Sequence, residues 1–258
     1  MLARTRRALP LAVALSLLGA STASAAGSMA VTFDVSKNVN VEGDQAQRHG
    51  WMETTVRGHK PLEFVVVKLK PGKDSGYFAN NAYKQTVKQL SSWGTLVMAG
   101  VTRPGQPHVV TANLTPGWHS IVIRGKDGYV PGGFTAGAVA NGEVAPAPGA
   151  VVSLRDSAIT GPGQLRAGES LGVYNAGGQV RDLRVARLAK GQSVAQANRL
   201  LRTRRAREVR WAGAPRTLVG WISPRVDNVI VPRLARGRWL LISTGADGRA
   251  VTRAVTVG

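Results

Sequence analysis

The apolar positions of this chain fall into short, β-branched runs separated by glycine and proline, the signature of strands joined by turns. Ala30-Val-Thr-Phe-Asp-Val35 alternates, with Val31, Phe33 and Val35 on one face. Trp51–Val56 gives a second strand, ended by Arg57-Gly58. Leu62-Glu-Phe-Val-Val-Val-Lys-Leu69 gives a third, closed by Pro71-Gly72. The period then changes to helical: Tyr83, Val87 and Leu90 lie at i, i+4 and i+7 and predict a helix with one apolar face. Leu96–Gly100 follows as a strand. Leu114-Thr-Pro-Gly-Trp-His-Ser-Ile-Val-Ile-Arg-Gly-Lys-Asp-Gly128 then reads as turn, buried strand, turn.

The same order recurs about 120 residues later. Leu234-Ala-Arg-Gly-Arg-Trp-Leu-Leu-Ile-Ser-Thr-Gly-Ala-Asp-Gly248 repeats Leu, three glycines and Asp in register. Arg181-Asp-Leu-Arg-Val-Ala-Arg-Leu188 matches Leu62–Leu69, with Leu183 and Val185 inward and Arg184 outward. Ser193-Val-Ala-Gln196 reads as a capping box opening a helix whose apolar face is Val194, Ala197 and Leu201. Gly100 and Gly220, and Pro104 and Pro224, keep the spacing. The last strand, Arg249–Val257, places Val251, Val255 and Val257 on one face. Between the copies, Asn141–Gly149 is rich in Pro, Gly and Ala and reads as a linker. The pattern predicts a mainly β protein of two tandem domains, 29–140 and 150–258, joined by 141–149, each with one inserted helix.

The first 25 residues stand outside this pattern. Arg4, Arg6 and Arg7 precede an apolar stretch, Leu11–Leu18, and Ala23-Ser-Ala25 offers a cleavage site. That is the layout of a secretory signal peptide, too short for a membrane span. The expected location is secreted or periplasmic, with no transmembrane segment. The chain has no cysteine, so no disulfide, thiolate nucleophile or thiolate metal site can form.

Three features together resemble the cupredoxin-like Greek-key β-sandwich: the strand bearing Glu63-Phe-Val-Val-Val67, the helical insertion, and Leu114-x-Pro-Gly-x-x-x-Ile-x-Ile123. The copper-bearing members of that family transfer electrons. The resemblance implies a histidine ligand just before Glu63, where this chain has Leu62, and Arg181 in the second copy. It implies a cysteine six residues after the Gly of the turn, where this chain has Ile123 and Ser243. A second histidine and a methionine should follow, and neither Lys126-Asp-Gly-Tyr129 nor Ala246-Asp-Gly-Arg249 supplies them. A blue-copper centre needs two imidazoles and a thiolate, so the family's electron transfer does not carry over and no cofactor is expected.

The four histidines, His49, His59, His108 and His119, all lie in the first copy. A metal site built on His108 and His119 is the alternative function, that of a periplasmic metal-handling protein, though no pair has the i, i+4 spacing of a helical metal motif. Asp127 and Asp247 repeat because Gly-x-Asp-Gly is a turn former. Trp93, Trp118, Trp211 and Trp239 are expected to fill cores or cover sandwich ends, with an aromatic sugar platform as the minority role. No phosphate loop, nucleophile elbow or metalloprotease motif occurs, and no catalytic residue is assigned.

Charge sharpens the picture. Residues 26–150 hold 12 Lys/Arg against 8 Asp/Glu, and residues 151–258 hold 19 against 6. The second copy concentrates Arg199, Arg202, Arg204, Arg205, Arg207 and Arg210, with Arg216 just beyond, around one helix and its exit. These are the candidate anion-binding residues. Their expected partner is an anionic cell-envelope polymer or an acidic protein, recognised through its charge and without sequence-specific nucleic-acid readout. The competing explanation is a solvated helix face in an arginine-rich chain. The function expected from the sequence is a non-catalytic binding or structural module of the cell envelope.

Overall fold

The computed structural model describes residues 27–33, 37–43, 48–125 and 127–258. The expected signal peptide, residues 1–25, and Val35 of the first expected strand lie outside the described residues.

The first repeat contains β1 (Gly27–Phe33), β2 (Val39–Gly43), β3 (Arg48–Gly58), β4 (Leu62–Leu69), α1 (Ser75–Asn81), α2 (Val87–Trp93), β5 (Gly94–Thr102), β6 (His108–Leu114), β7 (Gly117–Arg124), β8 (Tyr129–Ala136) and β9 (Val139–Ala140). After residues 141–149, which have no regular structure, the second contains β10 (Ala150–Leu154), β11 (Ile159–Thr160), β12 (Gln164–Leu165), β13 (Leu171–Asn175) and β14 (Arg181–Ala186). It continues with α3 (Val194–Arg202), β15 (Arg216–Ile222), β16 (Asp227–Ile230), β17 (Gly237–Thr244) and β18 (Ala250–Val257). The fold is mainly β, as the alternation predicts.

The central strand β4 is apolar on both sides because both sides are covered. Phe64 and Val66 enter the core between the sheets, and Val65 and Val67 face Phe78, Ala82 and Leu90 of the helical insertion. The insertion departs from expectation. Tyr83, Val87 and Leu90 do not share one helix: Tyr83 sits in a 3-10 turn, Ala82–Lys84, and the chain is extended at Gln85 (φ −81°, ψ 149°). Thr86 then starts α2 afresh with a capping box. Its hydroxyl accepts from Gln89 N at 3.2 Å, and its own N–H donates to Gln89 Oε1 at 2.8 Å. A strong local cap overrides the longer apolar period. In the second repeat the expected box is present, with Gln196 N donating to Ser193 Oγ at 3.2 Å and Ser193 N to Gln196 Oε1 at 3.0 Å. Val194, Ala197 and Leu201 pack on Leu240, Ile242 and Ala250.

The repeats share their largest sheet. Its strand order is β11-β10-β13-β16-β6-β3-β1-β2, with β9 also pairing β3. The joint between repeats is antiparallel β16 against β6, Asn228 opposite Ala112 and Val229 opposite Thr111. The opposing layers are β5-β4-β7-β8 in the first repeat and β12-β18-β17-β14-β15 in the second. These two layers meet at their β5 and β15 edges, where Ser223 N donates to Leu96 O at 3.0 Å and Leu96 N to Ser223 Oγ at 2.9 Å. Asn228 Nδ2 also crosses the joint to Val97 O at 3.0 Å. One apolar cluster runs from Met29 through Phe64 and Ile121 to Leu183, Leu241 and Val257.

The repeated glycines mark this joint. A Cβ on Gly220 would lie 2.6 Å from Ala99 Cβ and 2.7 Å from its carbonyl carbon. A Cβ on Gly100 would meet the His108 ring at 2.5 Å. The 120-residue spacing therefore keeps two close approaches, one to backbone and one to an imidazole.

Candidate anion-binding surface

The positions where the resembled family carries copper ligands can be placed first. In the first repeat Leu62 and Ile123 are buried in the shared core. In the second, Arg181 is wholly buried, at 0% exposure, and touches Ser243 directly. Arg181 Nε donates to Ser243 Oγ at 3.0 Å and Nη2 to Ser243 O at 3.1 Å, while Nη1 lies 3.6 Å from Asp156 Oδ1. Burial lowers the Arg181 pKa, and Asp156, Asp247 and Asp182 oppose that shift. Asp182 is buried beside it and accepts from Arg184 Nε and from Thr244 N, each at 2.7 Å. Burial raises its pKa, against the pull of Arg184 and the Thr244 N–H. A guanidinium presents donors only and carries a fixed positive charge, so this pair opposes a metal cation.

His108 and His119 do not converge. His108 lies edge-on to Phe64 with ring centroids 5.5 Å apart, and His119 stacks on Phe134 at 5.1 Å. Phe64 and Lys68, the β4 positions beside which the two rings lie, are four residues apart, about 13 Å along a strand. Burial lowers both pKa values to about 4, and for His119 the charge of Lys68 adds to the lowering against a Gly117 hydrogen bond that raises it. Among the described residues no three His, Asp or Glu side chains form a group able to hold a metal ion.

The tryptophans are covered to different degrees. Trp93 stacks on Tyr77 at 5.5 Å, and Trp211 packs on the apolar cluster beneath α3. Trp239 lies under two guanidinium groups, with Arg187 Cζ 4.4 Å and Arg216 Cζ 5.7 Å from its centroid. Trp118 is 44% exposed. Asp247 acts in its turn as expected, accepting from Arg249 N at 3.0 Å.

The arginine segment divides by function. Arg204 has left-handed backbone (φ 60°) and donates to Asp247 O at 2.9 Å, which ties the exit of α3 to the β17–β18 turn. Arg205 grips Glu208 with two bonds, at 2.5 and 2.6 Å. Arg199, Arg202, Arg207 and Arg210 are exposed and form no ion pair with a described residue. On α3 the buried stripe is Ala197 and Leu201, so Arg199 and Arg202, three residues apart, share the opposite, outward side. Arg210 sits where the chain returns to the sheet, with Ala189 N donating to its carbonyl at 2.9 Å. The result is two exposed arginines on the outward side of an amphipathic helix and two more, Arg207 and Arg210, along its exit.

No family model matches the chain, and no curated protein matches it. Among solved structures, it is similar to a multicopper oxidase at 11% identity and a TM-score of 0.26, covering 90% of this chain and 88% of that one. It is similar to a copper-containing nitrite reductase from Thermus scotoductus at 11% identity and TM-score 0.24, covering 90% of this chain and 61% of that one. A multicopper oxidase from Campylobacter jejuni is similar at 7% identity and TM-score 0.23, covering 89% and 63%. Likeness at this level does not bear on activity. The class of the protein follows from its own sheets: a mainly β, two-repeat fold resembling the cupredoxin-like sandwich, with Arg181 and Ser243 at two positions where copper-bearing members of that resembled family carry ligands.

Proposed function

We propose that this protein is a non-catalytic binding module, exported to the cell envelope, whose second repeat holds an anionic polymer on the face of α3. The observation that carries this reading is the set Arg199, Arg202, Arg207 and Arg210, on α3 and its exit, exposed and in no ion pair with a described residue, while the nearby carboxylate Glu208 is already committed to Arg205. Guanidinium forks suit phosphate and sulfate oxygens, and a rigid mount lowers the entropy cost of binding. Export is supported by the leader pattern of residues 1–25. Among the described residues no helix is long and apolar enough to cross a membrane.

The test is a salt titration. Fluorescently labelled heparin or polyphosphate should bind, and affinity should fall steeply with ionic strength because binding releases counterions. Absent or salt-insensitive binding would overturn the reading.

A further inference from the structure

We infer that the ligand of this surface is an extended polyanion that also engages a second basic locus, the turn Arg233-Leu-Ala-Arg-Gly-Arg238. The inference rests on the anion-binding reading of the second repeat and names the form of its ligand.

The turn exposes Arg233, Arg236 and Arg238, and none of them forms an ion pair with a described residue. It is held from beneath. Trp239 Nε1 donates to Ala235 O at 2.8 Å, and Arg187 Nη2 donates to Ala235 O at 3.2 Å and Arg236 O at 2.6 Å. Arg216 Nη2 donates to Arg233 O at 2.9 Å. The guanidinium groups of Arg187 and Arg216 also lie over the Trp239 ring. Arg187 and Arg216 are therefore positioning residues, and the exposed arginines are what they present.

The first repeat holds its matching turn with a cation too, but that turn displays no charge. There Lys68, the counterpart of Arg187, donates to Thr115 Oγ1 at 2.7 Å and to Pro116 O. The matching turn, Asn113-Leu-Thr-Pro-Gly-Trp118, carries no cation. One device serves both repeats, and the second alone uses it to display arginines.

Arg238, at the end of this turn, lies on the face that α3 covers. In β17, Arg238 has the same side-chain phase as Leu240 and Ile242, on which α3 packs. Arg238 is opposite Thr256 on β18, and Thr252, four residues back, bonds Asn198 of α3 next to Arg199. Four strand residues span about 13 Å. Of the acids nearby, Glu208 is paired with Arg205 and Asp247 lies 3.8 Å from Arg249 Nε, while Glu169, in the crevice beside Leu234, accepts from the Arg166 N–H at 2.8 Å and keeps its charge. A single phosphate can occupy one locus. A chain with anionic groups spaced beyond a nanometre can occupy both, and the second interaction then forms at high effective concentration.

Full-length protein would be titrated with inorganic phosphate, short and long polyphosphate, and heparin fragments of increasing length. We expect affinity to rise with chain length in at least one polymer series, and that series identifies phosphate or sulfate as the recognised group. Arg236→Gln/Arg238→Gln and Arg199→Gln/Arg202→Gln should each weaken long-chain binding about tenfold or more and remove the length dependence. Thermal unfolding of each variant controls for folding. If the Arg236/Arg238 variant leaves long-chain affinity and length dependence unchanged while the Arg199/Arg202 variant weakens binding, the second locus is wrong and the α3 reading stands. Wild-type protein that binds no chain of either series overturns both.

Discussion

Arg181 Nε and Ser243 Oγ are 3.0 Å apart, buried, and stand at two positions where the resembled family would place copper ligands. The first repeat fills the equivalent positions with Leu62 and Ile123. One repeat has closed this end with hydrocarbon and the other with a hydrogen-bonded cation.

The two solutions should be exchangeable only as units. Ser243→Ile alone removes the hydroxyl that accepts from the buried Arg181 Nε, leaving only the bond to the backbone oxygen of residue 243, and should cost about 1–3 kcal/mol of stability. Arg181→Leu/Ser243→Ile copies the first repeat and should return stability to within about 1 kcal/mol of wild type, since apolar replacement of a buried charged network is often neutral. Denaturant unfolding of both variants checks this. A double variant as unstable as the single would show that Arg181 contributes more than a plug.

The joint between repeats predicts an asymmetry between its two glycines. Gly220→Ala drives a Cβ into the Ala99 backbone, whereas Gly100→Ala meets the His108 imidazole, a side chain and not main chain. Gly220→Ala should cost about 2 kcal/mol or more and Gly100→Ala clearly less. Unfolding midpoints decide; equal losses would contradict the packing described.

The buried histidines predict a pH dependence. Each has a folded pKa of about 4 against 6.5 in an unfolded chain, so the unfolded state binds the proton more readily between those values. Their stabilising effect is complete above pH 6.5 and is lost as pH falls toward 4, by up to about 3 kcal/mol for each histidine. Asp182, whose pKa burial raises, works in the opposite sense and gains stability on acidification. His119→Phe should therefore flatten the melting-temperature profile between pH 6.5 and 4 without changing its alkaline side. An unchanged profile would show that His119 has no part in the acid sensitivity.

Much of this fold is legible in the sequence because the repeat supplies its own control. Leu183 and Val185 point inward, β4 is the buried centre of its sheet, and Ser193 caps α3 with Gln196, each as local pattern requires. The joint is not legible. Whether β6 and β16 pair with each other or with strands outside depends on register across two distant segments, and neither strand advertises its partner. The spacing of Gly100 and Gly220 is visible; the close approaches behind it are not.

For the site, the tract Arg199–Arg210 is visible as composition, but its division is tertiary. That Arg204 is spent on the Asp247 carbonyl and Arg205 on Glu208 follows from a turn at Arg204 that sequence does not announce. The turn arginines Arg233, Arg236 and Arg238 look like scattered charge until Trp239, Arg187 and Arg216 are seen to brace them. Arg181 had a signal that was available: it shares the phase of Leu183 and Val185 and so faces inward.

The brace itself is testable. Arg187→Lys keeps the charge and can still donate to the turn carbonyls but loses the planar stack on Trp239, so it should cost about 1 kcal/mol of stability. Thermal unfolding of the variant checks the loss. Full retention of stability would show that any cation serves there, as Lys68 does in the first repeat.

The anion-binding role is tested most directly by calorimetric titration of long-chain polyphosphate or heparin into wild-type protein and into Arg199→Gln/Arg202→Gln/Arg207→Gln/Arg210→Gln, across a range of salt concentrations. Each arginine that pairs with an anionic group adds about one to the slope of log affinity against log salt, so the variant should show a shallower slope. It should also bind at least about tenfold more weakly at low salt. Equal affinity and equal slope for the two proteins would contradict an anion-binding role for the α3 face.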